Sequence, residues 1–125
     1  MEEGRLLTHL RAVLGEEGFV HFCQALGGTR VYVPYKCRDD NEVVAAIGRE
    51  MADKLSRALA PATIRVPLAR RERALFFRGT QGMSNAAIAR KLGITEGGVN
   101  KLFARERDLP DKAGSGRSPA QPNLL

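Results

Sequence analysis

The stretch MSNAAIARKLGITEGGVNKLFARER, residues 83–107, gathers side chains whose chemistry is recognition rather than bond-making. At helical spacing, Thr95, Glu96, Gly97, Gly98, Asn100, Lys101, Ala104 and Arg105 alternate with the apolar residues Val99, Leu102 and Phe103. An asparagine amide in this position suits the donor and acceptor pair of an adenine edge, and lysine or arginine suits guanine O6 and N7 or a phosphate oxygen. Ser84 and Asn85 precede a second helical pattern, where side-chain oxygens and unpaired backbone N–H groups can hold a phosphate.

To act together, these residues must sit on two short helices joined by a tight corner. Ser84 or Asn85 caps the first, whose inner face is Ile88, Ala89 and Leu92. Gly93 supplies a positive φ, Ile94 plugs the corner, and Thr95 caps the second helix, whose inner face is Val99, Leu102 and Phe103. Ala89 is small where the two helices meet. This register predicts a helix-turn-helix over residues 84–106. Gly97-Gly98 is discordant, since each glycine costs a helix interior up to about 1 kcal/mol relative to alanine. The pair either permits close approach to a groove or marks a frayed helix start that firms up on DNA.

Pro67 is expected to open a preceding helix through LARRERALFFR, with Leu68, Leu75 and Phe76 on its buried side. Arg70, Arg71, Arg73 and Arg78 on that helix either add phosphate contacts or form a solvated basic face. The net charge of +6 divides unevenly: residues 1–60 hold eight Lys/Arg and nine Asp/Glu, giving −1, and residues 61–125 hold twelve and five, giving +7. A basic half beside a balanced half fits one part meeting phosphate and the other meeting protein. His9, His21, Cys23 and Cys37 lack metal-ligand spacing, so neither a metal nor a cofactor is expected. The cysteines read as reduced thiols. No apolar run is long enough for a membrane span, and the acidic start does not resemble a signal peptide, so a cytoplasmic protein is expected. Ser56 is the sole serine before Ser84 and has no nucleophile motif around it, so no enzyme is expected.

Upstream, periodicity predicts helices over 2–14, 16–26 and 42–59, the last capped by Asp40 or Asn41 and ended by Pro61. Short strands are expected at 30–33 and 63–66. A shift of thirty-three residues aligns the two halves of this region. Seven of the twenty-five pairs from Leu10 to Pro34 are then identical, including Gly15 with Gly48, Val33 with Val66 and Pro34 with Pro67, where about one or two are expected from ordinary residue usage. A lone short strand leaves its backbone groups unmatched, so Val31, Tyr32, Val33, Ile64 and Val66 are expected to pair, either within one chain or across a two-fold axis as dimerisation residues.

The order of these features resembles the Mor/C family of phage middle and late transcription activators. The resemblance is carried, over about residues 43–103, by AIGREMADKLSRALAPATIRVPLARRERALFFRGTQGMSNAAIARKLGITEGGVNKLF, and VLGEEGFVHFCQALGGTRVYVP matches the upstream part better still. It implies a mainly α fold: a helical dimerisation region over 1–60 with one or two short strands, then a three-helix DNA-binding domain over 61–109. Residues 110–125, rich in Pro, Gly and Ser, are expected to be a disordered tail. The resemblance further implies a homodimer on dyad-symmetric double-stranded DNA, with host RNA polymerase as a further partner. Two features depart from the family: the Gly-Gly that precedes its short strand is kept as Gly27-Gly28 but is Ala60-Pro61 in the second copy, and the duplication is not the usual layout. A phage small terminase subunit is the alternative from the assembly class.

Overall fold

The computed structural model describes residues 3–105, so the expected disordered tail lies outside the described residues. The described chain is mainly helical, with five helices and one two-stranded antiparallel sheet, in the order α1 (Glu3–Leu26), β1 (Arg30–Val33), α2 (Glu42–Leu59), β2 (Ala62–Arg65), α3 (Arg70–Gly79), α4 (Asn85–Leu92) and α5 (Glu96–Arg105). It divides after Ala69 into two compact units. The second strand belongs to the first unit because its ladder partner is β1.

The repeat is visible in that first unit. α1 breaks at Gly15 (φ 76°, ψ 169°), as the separate helices 2–14 and 16–26 require. α2, expected as one continuous helix, breaks at the equivalent Gly48 (φ 87°, ψ 166°). Both glycines adopt a positive φ that a side chain disfavours. Burial echoes the same spacing: Leu10 and Val43, Phe19 and Ala52, and Phe22 and Leu55 are all fully buried. Val31 lies directly opposite Ile64, thirty-three residues away, flanked by Arg30 opposite Arg65 and Tyr32 opposite Thr63. The shift carries one flanking pair onto the other, so the register has a local two-fold axis through the Val31–Ile64 pair. The strands therefore pair within one chain, which settles where their backbone groups go.

Val31, Val33, Ile64 and Val66 are 1%, 0%, 8% and 1% exposed, so they build the chain's own core. Of the five residues expected at a dimer seam, only Tyr32 turns its side chain outward. The two-fold echo fails at the ladder's end. Gly28 N–H donates to the Val66 carbonyl at 2.8 Å, whereas its equivalent, Pro61, has no N–H to give. Asn41 caps α2 by accepting from Val43 N–H at 2.7 Å. Arg49 pins the preceding loop, donating to the Cys37 carbonyl at 2.8 Å and pairing with Asp39 and Asp53. Those hydrogen bonds, Asp39's first, hold its guanidinium pKa above the ordinary value. Cys23 and Cys37 are both buried and are not joined in a disulfide.

In the second unit α3, α4 and α5 pack together around Ala74, Phe76, Phe77, Ile88, Ala89, Leu92 and Val99. The rings of Phe76 and Phe77 meet edge to face, their centroids 6.0 Å apart. The helix expected from Pro67 instead begins at Arg70. Pro67 is buried in the first unit; on α3 Phe76 is buried as expected, whereas Leu68 is exposed and Leu75 half-buried, and Ala74 and Phe77 complete the inside.

Candidate nucleic-acid interface

Each local step of the α4–α5 corner has an identifiable cause. Ser84 Oγ accepts from Ala87 N–H at 3.1 Å, closing the start of α4. Gly93 ends it in the left-handed region (φ 72°), and the N–H groups of Gly93 and Ile94 both donate to the Ala89 carbonyl, at 2.8 and 3.0 Å. Thr95 Oγ1 then accepts from Gly98 N–H at 2.9 Å, which starts α5. Gly98 is half-buried, and a Cβ there would lie 3.3 Å from Ile94 Cδ1 and 3.4 Å from Thr95 Oγ1. Its small size thus serves the cap and the corner. Gly97 is exposed and meets only Thr95, at an ordinary 3.7 Å.

Ile88, Ala89, Leu92 and Val99 are buried, as the spacing predicts, while Leu102 and Phe103 are half-buried. Ser84, Thr95, Glu96, Gly97, Asn100, Lys101 and Arg105 are all exposed, and Asn85 is half-buried. Thus α5 presents Asn100, Lys101 and Arg105 together with the cap of its own N-terminus. Its cations and amide offer donors to acceptor edges and phosphates, whereas Glu96 offers an acceptor.

The arginines of α3 divide. Arg70 and Arg71 are exposed, Arg71 lying 3.4 Å from Glu72. Arg73, a candidate phosphate ligand by sequence, is 5% exposed and belongs to the core. Arg78 is held by its own unit. Its Nε donates to the Met83 carbonyl at 2.9 Å, an Nη donates to Asn85 Oδ1, and its guanidinium carbon lies 4.9 Å from the centre of the Phe103 ring. Burial lowers its pKa, yet a guanidinium remains cationic at any working pH. Arg78 therefore ties α3 to α4 and α5 rather than standing ready for a phosphate. Asn85 Nδ2 in turn donates to Asn100 Oδ1 at 2.7 Å, joining two candidate site residues in one network.

No family model, curated protein or solved structure matches this chain. Tyr32 apart, two sets of exposed residues are missed by spacing alone. Arg90 and Lys91 in the last turn of α4 are exposed beside a shallow depression shared with Met83 and Ala87; their position flanking Ile88 and Ala89 on the polar side of the helix was the available signal. In the first unit, Arg30, Tyr32, Thr63 and Arg65 occupy the exposed face of the sheet. Like charges directly opposite one another destabilise a strand pair. Strict alternation in RVYV and TIRV marks that face once the register is known. Among the described residues, no helix is long and apolar enough to cross a membrane, and no group of three or more His, Cys, Asp or Glu could hold a metal ion.

Proposed function

We propose that this chain is a sequence-specific DNA-binding transcription regulator, acting in the cytoplasm, whose α5 is the recognition helix. The observation that carries the reading is the α4–α5 corner: two capped helices joined through a left-handed Gly93, with Asn100, Lys101 and Arg105 exposed on the second. Such a corner lets one helix lie in the major groove while the start of the other meets the backbone. The +7 balance of residues 61–125 supports a polyanionic partner. The resemblance to phage activators extends the proposal to a homodimer on two half-sites and to recruitment of RNA polymerase. With the strand cores closed within each chain, such a dimer would be held by other surfaces.

Binding to a mixed-sequence duplex, followed by fluorescence anisotropy across a salt series, tests the reading. The logarithm of affinity should fall linearly with the logarithm of salt concentration. Lys101→Ala or Arg105→Ala should each reduce the slope by about 0.9 if the side chain neutralises one phosphate. A salt-independent isotherm would refute phosphate recognition. An unchanged slope in either variant would remove that residue from the phosphate contacts.

A further inference from the structure

The contact between Asn85 and Asn100 has a direction imposed from one end. Arginine has donors and no acceptor, so Asn85 must turn Oδ1 toward Arg78. Its Nδ2 then points to Asn100, which must answer with its own Oδ1, at 2.7 Å. That leaves the two Nδ2 hydrogens of exposed Asn100 with no partner among the described residues. The cationic head of the chain polarises the amides behind it, strengthening the last donor. The head is itself fixed at the Met83 carbonyl and over the Phe103 ring.

We infer that Arg78 and Asn85 are positioning residues that lock the Asn100 amide with its donors outward, so that Asn100 addresses the acceptor edge of guanine, O6 and N7. An adenine edge asks one amide for a donor and an acceptor, and Asn85 already occupies one lone pair of Asn100 Oδ1. Guanine asks for donors only. This rests on the DNA-binding reading for its ligand, but the orientation of the amide does not.

Asn85→Asp separates the two. An aspartate still accepts from Arg78 but has nothing to donate, so Asn100 must turn Nδ2 inward and Oδ1 outward. The variant should fold, because residue 85 opens α4 directly after its cap and a negative charge there is favourable. In 15N-edited spectra of the full chain without DNA, slow side-chain amide exchange should belong to Asn85 in the wild type and pass to Asn100 in the variant. In selection from a random duplex pool, the wild type should favour guanine at one position by roughly tenfold. Asn85→Asp should move that preference to adenine or cytosine, whose amino groups donate, and Asn85→Ala should flatten it. An Asn100 amide unaffected by Asn85→Asp, or the same base selected by both proteins, would overturn the inference. If the folded wild type binds no duplex, the DNA-binding reading falls with the guanine assignment, while the amide spectra still decide the orientation.

Discussion

Replacing Gly27 with alanine should destabilise the first unit by about 2–3 kcal/mol, the upper part of the range of about 1–3 kcal/mol for an overpacked core. An added Cβ would sit 2.5 Å from the Cys23 carbonyl oxygen, 3.0 Å from the Pro67 carbonyl oxygen and 3.3 Å from Leu68 Cα. All three are backbone atoms, so relief requires moving the end of α1 or the segment after β2. At the adjacent Gly28 the penalty has another origin. Its φ of +85° disfavours any side chain, but the nearest obstacle is the movable Leu68 side chain at 3.3 Å. Gly28→Ala should therefore cost about 1–2 kcal/mol, chiefly through the backbone. Denaturant unfolding followed through amides of residues 3–69 checks the order. Equal losses would show that the close approach at Gly27 does not govern stability.

Ile88→Ala should unfold the second unit. Ile88 is fully buried in α4, and truncation of a core isoleucine costs about 2–5 kcal/mol. A core this small rarely supplies more than about 3–5 kcal/mol. The amides of α3 to α5 should lose hydrogen-exchange protection, and duplex binding should disappear with them. Retained protection with wild-type binding would mean that the corner does not depend on this side chain.

The parts of the fold legible in the sequence are those fixed locally. Ser84, Gly93 and Thr95 each satisfy a steric or hydrogen-bonding demand within a few residues, so the helix-turn-helix geometry could be placed from spacing alone. The break at Gly48 was harder because the apolar pattern of α2 continues on both sides of it; only the echo of Gly15 marks it. Strand pairing within the chain was undetermined, since a repeat says that a strand needs a mate without saying whose. The start of α3 was misplaced because Pro67, a favourable first helical residue, is used instead to close the first unit. Arg78 was illegible for a related reason. Its partners, Met83 and Asn85 at the entry to α4 and Phe103 on α5, converge on it only through folding.

The central claim, that the exposed face of α5 reads base edges, is tested most directly by selecting bound duplexes from a random pool with the wild-type chain and with Asn100→Ala. The wild type should enrich a defined motif, repeated with dyad symmetry if two copies bind together, and Asn100→Ala should lose preference at one base pair while keeping the rest. A folded wild-type chain that enriches no motif, or a motif unchanged by Asn100→Ala, would contradict it.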